Sequence, residues 1–299
     1  MHTLHIGNQK YQLPSRWEEL SRGQVIRAAW LSTQQLSSVQ LAKLLFMVLT
    51  LSLPWYQRIR LQFFYLFQAS IHERGDLVFL TRSLAEFTDF TTQKVKIIRG
   101  RFVPRFRLHG PASKLANCTF WEYVKAEQYF TEYMSSRSEE WLNKLIAVLY
   151  RPRASRYDPN LHEDIRVPLI DTTIPYRAKL IATLPLPERI AILMWFDGCR
   201  QFIIKDFPLI YKRSGLQDGK PTSKLDQKAK SGDWLTLINS LSTDMLQFQQ
   251  MGNVNLSVAL TDISLRMKRA KEQAEAAKAQ AAKTKRSTSR PRPRKTARR

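Results

Sequence analysis

Residues 119–152 read TFWEYVKAEQYFTEYMSSRSEEWLNKLIAVLYRP and indicate a helical protein. From 120 to 133, aromatic and aliphatic side chains recur every three or four residues, which is the spacing of one face of an α-helix. Asn117 or Thr119 can cap this helix. A second helix is predicted from about 138 to 149, where an Arg-Pro pair ends it.

Upstream, residues 1–94 are predicted to form an N-terminal helical region. Residues 2–13 alternate around a Gly-Asn pair and predict a short β-hairpin. Ser21 is followed three residues later by Gln24, which is the spacing of a capping box at a helix start. Further on, apolar side chains at helical spacing, among them Ile59 and Phe63, predict a helix that packs into a dense aromatic core.

Residues 95–110, VKIIRGRFVPRFRLHG, have a different character. They begin with β-forming residues, and arginines alternate with other residues at a period of two. This pattern predicts a strand or an extended pair with one basic face, and Pro104 favours an edge strand or a break. The arginines are Arg99, Arg101, Arg105 and Arg107.

Downstream, residues 111–265 predict a second helical region. Its last helix is expected to leave the body near Met267, so that 266–283 project into solvent. Residues 284–299 end in KRSTSRPRPRKTARR, which has no side chain able to build a core, and this segment is predicted to be disordered. The sequence thus predicts a mainly α protein: a multi-helix globular body with a small β element and a disordered basic C-terminal tail.

The chain is strongly basic, with a formal net charge of +23. Residues 266–299 hold fourteen Lys/Arg and two acids, and residues 1–265 still hold 34 Lys/Arg against 23 acids. A basic body with a more basic tail indicates a polyanionic partner, such as a nucleic acid, a membrane surface or an acidic protein.

The two cysteines, Cys118 and Cys199, are far apart in sequence, which excludes a disulfide framework and is typical of a reducing cytoplasm. We expect no signal peptide and no membrane segment, because the longest apolar stretch, residues 44–56, falls short of the roughly 20 residues that a spanning helix needs. There is no glycine-rich phosphate loop and no zinc-finger spacing, so no cofactor is predicted.

The most chemically suggestive loop is residues 162–166, HEDIR. His162, Glu163 and Asp164 would suit a metal site or acid–base catalysis. The alternative, which we favour, is a solvated loop in which Asp164 pairs with Arg166 and holds the loop against the body. We therefore predict that the protein is not an enzyme.

The candidate nucleic-acid-binding residues lie in the tail and in the segment 95–110, because arginine and lysine bind phosphates and aromatic side chains stack on bases. The alternative is that the tail only aids solubility. The candidates are Lys278, Lys283, Lys285, Arg286, Arg290, Arg292, Arg294, Lys295, Arg298 and Arg299 in the tail, and Arg99, Arg101, Arg105 and Arg107 in the extended segment.

Several phrases occur in a fixed order: LPSRWEELSRGQ at 13–24, LHGPASKLANCTFWEYVKAEQYF at 108–130, LNKLIAVLYRP followed by DIRVP, and DWLTLINSLS followed by NLSVAL. This order resembles phage and prophage proteins that are encoded in tail gene modules and described as tail-assembly-chaperone-like. Their opening motif is filled here by Pro14, Trp17, Leu20, Ser21 and Gln24. The resemblance covers most of residues 13–265 and does not include the basic extension beyond about 266.

The resemblance implies a morphogenesis protein of the bacterial host cytoplasm that chaperones a phage tail or tape-measure protein and has no catalytic residues. Such a chaperone needs apolar grooves on a helical body. Trp17, Trp55 and Trp121 are the candidates to line a groove, unless all seven tryptophans are core residues. The alternative function is binding of DNA or RNA through the basic C-terminal tail.

Overall fold

The structure is a computed structural model of the 299-residue chain. It describes residues 2–6, 9–14, 19–65, 95–97, 106–158, 164–212 and 252–288. In these ranges the protein is mainly helical, as the sequence predicts.

The chain opens with the predicted hairpin. Strands β1 (His2–Ile6) and β2 (Gln9–Leu13) pair in antiparallel register, His2 opposite Leu13. Tyr11 and Leu13 alternate with exposed residues and are buried, at 2% and 1% exposure. They belong to a core cluster with Phe46, Leu61 and Tyr65, so the hairpin is held by the helices that follow it.

Three helices follow: α1 (Arg22–Ser32), α2 (Ser38–Leu49) and α3 (Trp55–Phe63). The predicted capping box is present at α1, where the Ser21 side chain accepts from the Gln24 amide and the Gln24 side chain accepts from Ser21 N–H at 2.9 Å. The Gln24 side chain also donates to two carbonyl oxygens at the end of α2, at 3.0 and 3.1 Å. One residue thus starts α1 and ties it to α2.

The extended segment contains a second antiparallel pair, β3 (Val95–Ile97) with β4 (Phe106–Leu108), and Arg107 lies in β4. The strand character predicted for this segment is therefore confirmed for these residues. Arg99, Arg101 and Arg105 lie outside the described residues.

The two helices predicted within residues 119–152 are α4 (Phe120–Ser136) and α5 (Glu139–Leu149), with bounds close to those predicted. The Thr119 side chain accepts from Glu122 N–H, so the cap is Thr119 rather than Asn117. Between the helices Arg137 takes a left-handed conformation, which ends α4 and lets α5 fold back against it.

Next come α6 (Ile174–Ile181), α7 (Leu186–Asp206) and α8 (Pro208–Lys212). Helix α7 packs against α1 and α5. Its Phe196 ring lies 6.3 Å from the Tyr123 ring and 5.6 Å from the Phe130 ring of α4, and this aromatic contact lies in the core.

Helix α9 (Leu256–Thr288) is the last described element. Leu256, Ala259, Leu260 and Ile263 form a buried stripe at helical spacing. The helix reaches Thr288 instead of ending near 283 as predicted, so Lys285 and Arg286 are helical and not part of a disordered tail. The physical reason is composition: alanine, lysine, glutamate and glutamine all favour helix, and no helix breaker occurs before the prolines that follow.

Contacts between residues divide the chain into two compact units. The first comprises Met1–Asp206 with Gln250–Leu256, and the second comprises Phe207–Gln249 with Ser257–Arg299. The boundary at Asp206 falls inside the region 111–265, which the sequence predicted as one.

Candidate functional site

Helix α3 presents large apolar side chains on two opposite sides. Leu61 is fully buried, whereas Trp55, Tyr56, Ile59 and Phe63 are 69%, 57%, 55% and 53% exposed. At 100° per residue these four lie within about one third of the helix circumference, on the side away from Leu61. We call them the aromatic face.

The local sequence holds α3 firmly from its inner side. Pro54 starts the helix with φ −51° and ψ 147°. Tyr65, beyond the last turn, stacks on Phe46 with ring centroids 4.5 Å apart, and Leu61 joins the same core cluster. The outward position of the aromatic face is therefore fixed by the packing of the opposite side.

A groove of about 440 Å³ lies beside the aromatic face, between α1, α2 and α3. Apolar side chains of α1, α2 and the turn after α2 line it and are half-buried: Trp30, Leu31, Leu44, Met47 and Leu51. Arg27 and Arg58 add two positive charges to this lining. The groove is thus apolar with a cationic component.

The groove and the aromatic face adjoin on α3. Arg58 lines the groove, and Ile59, the next residue, belongs to the aromatic face, about 100° further round the helix. The same holds for Gln62 and Phe63. We call the groove and the aromatic face together the α3 surface.

A second cluster of charged side chains lies inside the first unit. Arg166 Nη2 is 3.1 Å from Glu122 Oε2 and 2.8 Å from Asp164 Oδ2. Arg151 Nη2 is 2.7 Å from Glu122 Oε1 and 3.3 Å from Asp164 Oδ2. The Arg151 and Arg166 side chains are 1% and 0% exposed, so two buried cations are balanced by two acids.

Further hydrogen bonds tie this network to the backbone. Arg166 Nη1 donates to the Leu149 carbonyl at 2.7 Å, and Arg166 Nε donates to Asp164 at 2.9 Å. Asn117 donates to Asp164 at 3.2 Å. The predicted Asp164–Arg166 pair is therefore confirmed, but its surroundings are buried and not solvated as predicted, because Arg166 also binds Glu122 and the Leu149 carbonyl.

Electrostatics act in opposite directions on the two arginines. Although burial opposes it, Glu122 and Asp164 raise the pKa of Arg166, whereas burial and the neighbouring Arg166 lower the pKa of Arg151. Burial, with a contribution from Glu122, raises the pKa of Cys118 to about 12. Cys118 is therefore a buried thiol at neutral pH and a poor nucleophile.

Of the three residues considered for a metal site or acid–base catalysis, the structure describes Asp164 alone. Asp164 bonds to two arginines, and His162 and Glu163 lie outside the described residues. Across the ranges that the structure describes, no three His, Cys, Asp or Glu side chains come together to hold a metal ion. Cys199 is fully buried in α7, and neither cysteine forms a disulfide.

The three candidate tryptophans occupy different environments. Trp55 is the most exposed large apolar side chain among those described. Trp121 is half-buried on α4, with Lys125 Nζ 5.0 Å from its ring centroid. Trp17 lies outside the described residues. Of the other tryptophans, Trp195 is fully buried and Trp30 lines the groove, so the tryptophans are not all core residues.

Sequence reasoning missed most of the α3 surface. It placed Ile59 and Phe63 in a buried core, and the structure corrects this because Leu61 faces the core instead. Of the candidate nucleic-acid ligands, Lys278, Lys283, Lys285 and Arg286 lie on α9. The tail candidates outside the described residues are Arg290, Arg292, Arg294, Lys295, Arg298 and Arg299.

Among the described helices, none combines the length and apolar character that crossing a membrane requires. Comparisons of the chain with protein-family models, with curated proteins and with solved structures find no match.

Proposed function

We propose that this protein acts by binding another protein and not by catalysis, and that it belongs to the phage or prophage morphogenesis proteins as a tail-assembly chaperone. The observation that carries the proposal is the α3 surface. The bound partner is a helical segment of a tail or tape-measure protein.

Exposed apolar side chains in a contiguous patch are typical of interaction surfaces. Trp55, Tyr56 and Ile59 are each more than half exposed on one short helix. Burial of an aromatic side chain removes about 150–250 Å² from water, and such side chains commonly carry most of the energy of an interface. A partner that covers the aromatic face therefore gains binding energy that the isolated protein does not use.

The groove defines the chemistry of the partner. An apolar channel between helices suits the apolar stripe of an amphipathic helix. Arg27 and Arg58 favour carboxylates beside that stripe, and residues 1–265 carry an excess of positive charge that also favours an acidic partner. We therefore expect a helix with apolar residues at a three- or four-residue spacing, flanked by Asp or Glu.

The resemblance to tail-module proteins supports this assignment independently. It implies a partner that must be kept soluble before the tail tube assembles around it, which calls for a binding surface and no active site. The bacterial cytoplasm is the compartment that this function requires.

The test is co-expression with the tape-measure protein from the same tail gene module. We expect this protein to keep the tape-measure protein soluble and to copurify with it after nuclease treatment. A truncation that ends at Met267 retains the α3 surface and should behave in the same way. Aggregation of the tape-measure protein regardless of co-expression would refute the chaperone function.

A matched pair of variants locates the binding surface. Ile59→Glu places a charge on the aromatic face. Ile170→Glu places the same charge on a residue that does not belong to the α3 surface and has nearly equal exposure, 56% against 55% for Ile59. We expect Ile59→Glu to lower binding at least tenfold and Ile170→Glu to leave it within twofold. Equal effects of the two variants would exclude the α3 surface. Binding of the aromatic face to anionic lipid vesicles, with no binding to the tape-measure protein, would replace a protein partner by a membrane.

A further inference from the structure

The second half of α9 is a solvent-exposed basic helix. Beyond Met267, every side chain that the structure describes on this helix is exposed. From 266 to 288 the helix holds eight Lys/Arg and two acids, and from Arg266 to Thr288 it is about 34 Å long. A helix without large apolar side chains on any side gains little from the hydrophobic effect.

The charges are not spread evenly around this helix. At 100° per residue, Arg269 and Lys271 lie on opposite flanks, with Ala270 midway between them. Lys278 and Lys285 repeat the position of Lys271 at seven-residue spacing. The face that continues Ala270, which we call the alanine face, consists of Ala270, Ala274, Ala277 and Ala281.

Both acids lie away from the alanine face. Glu272 and Glu275 are exposed and, by the same geometry, occupy the opposite side of α9. The ion pair of Glu275 is exposed to solvent: Lys271 Nζ is 3.9 Å from Glu275 Oε1, and both side chains are mostly exposed. Such pairs are readily exchanged for other anions. The helix therefore has one side with small side chains between basic flanks, and an opposite side on which both acids lie together with Lys268 and Arg286.

We propose that α9 binds double-stranded DNA in the major groove, with the alanine face toward the groove floor and the basic flanks toward the two phosphate walls. The major groove of B-DNA is about 12 Å wide and admits an α-helix. Small alanine side chains allow close approach. The basic residues of the flanks, Arg269 on one side and Lys271, Lys278 and Lys285 on the other, match phosphates on the two walls. This inference does not depend on the protein-binding function proposed above.

Other polyanions fit this helix less well. Residues 266–299 contain no aromatic side chain, so they offer no stacking platform for single-stranded bases. Past Met267 they contain no large apolar side chain, which an interfacial membrane helix needs. The major groove of A-form RNA is too narrow for a helix. Duplex DNA is the polyanion that remains.

The contacts proposed for the basic flanks of α9 are made with phosphates. Phosphate contacts of this kind do not depend on base sequence and release counterions. We therefore expect binding with little sequence preference and a steep dependence on salt.

The test uses full-length protein and a labelled 30-base-pair duplex in a fluorescence anisotropy titration across a range of salt concentrations. The variant Arg269→Gln/Lys271→Gln removes one charge from each flank. Its matched control, Lys268→Gln/Arg286→Gln, removes two charges from the side opposite the alanine face, since these residues lie five helical turns apart on that side. Glutamine preserves helix propensity, and circular dichroism verifies the helix content of both variants.

Each phosphate contact contributes a slope of about −0.9 in a plot of log affinity against log salt. We expect the flank variant to lower the slope by about 1.8 and the affinity by roughly 60-fold at 0.1 M salt. The control should change the affinity by a much smaller factor. Equal losses in the two variants would overturn groove binding, as would equal affinity for single-stranded DNA or duplex RNA. Absence of DNA binding, or tighter binding to polyglutamate than to the duplex, would overturn the proposal as a whole.

Discussion

Arg166 connects more structural elements than any other side chain of the buried ionic network, and its replacement is the most informative test of the fold. The variant Arg166→Met keeps an unbranched side chain, shorter than that of arginine, and removes the charge and the side-chain donors. It leaves Arg151 as the one remaining ion-pair partner of Glu122 and of Asp164 in the network, the latter through a 3.3 Å contact. The Leu149 carbonyl loses a donor at 2.7 Å.

The expected cost is about 3–5 kcal/mol of the free energy of unfolding, since a broken buried ion pair leaves a charge without its partner in a medium of low polarity. Domains of this kind are stable by only about 5–15 kcal/mol, so the variant should unfold at a far lower urea concentration. The matched control is Glu140→Gln, which breaks the pair with Lys144 on a side chain that is 65% exposed. Its expected cost is within about 0.5 kcal/mol.

The assay is urea unfolding followed by circular dichroism and tryptophan fluorescence at 0.1 and 0.5 M salt. The loss in Arg166→Met should be insensitive to salt because the network is buried. In a double-mutant cycle, Glu122→Gln with Arg166→Met should cost less than the two single changes added together, since Arg151 and Asp164 then remain as a balanced pair. A loss below about 1 kcal/mol for Arg166→Met, or strict additivity, would refute the structural role of the network.

Two glycine substitutions should have opposite effects on stability, and a urea titration compares them. Gly110→Ala should destabilise the protein by about 1–3 kcal/mol, because the new methyl would lie 2.8 Å from Tyr150 Cζ. Gly23→Ala in α1 should be neutral or stabilising, because the new methyl meets nothing within 4 Å. Cys118 and Cys199 should react with a thiol reagent on the order of 100-fold faster in urea than in the folded protein. Because the pKa of Cys118 is raised to about 12, its contribution to stability is complete below about pH 8.5 and should be lost as the pH rises toward 12.

Helix starts were the features best predicted from sequence, since a cap depends on residues only three positions apart. Ser21 and Gln24 specify a capping box without reference to the rest of the chain, and the structure contains it. The alternative caps at Asn117 and Thr119 could not be separated in this way. Asn117 accepts a hydrogen bond from the Ala112 amide and donates to Asp164, and these partners are set by tertiary structure.

The ionic network could be predicted from the sequence only where its partners are close along the chain. Asp164 and Arg166 are two residues apart, and their pairing was predictable. Glu122 is 44 residues from Arg166, and nothing in the pattern of α4 distinguishes a glutamate that meets two arginines from one that meets water. Buried charge is specified by how α4, α5 and the following loop pack together, which residue spacing does not reveal.

Helix α3 explains why most of the aromatic face, with the exception of Trp55, was not predicted although all of its residues were visible in the sequence. Helical spacing identifies residues that share a side, but it does not say which side faces the core. In α3 both sides are apolar, and the longer apolar set, with Trp55, Ile59 and Phe63, is the one that faces outward. A helix with two apolar sides needs two packing partners. The hairpin and α2 supply the first, through the core cluster around Leu61, and the proposed tail protein is the second.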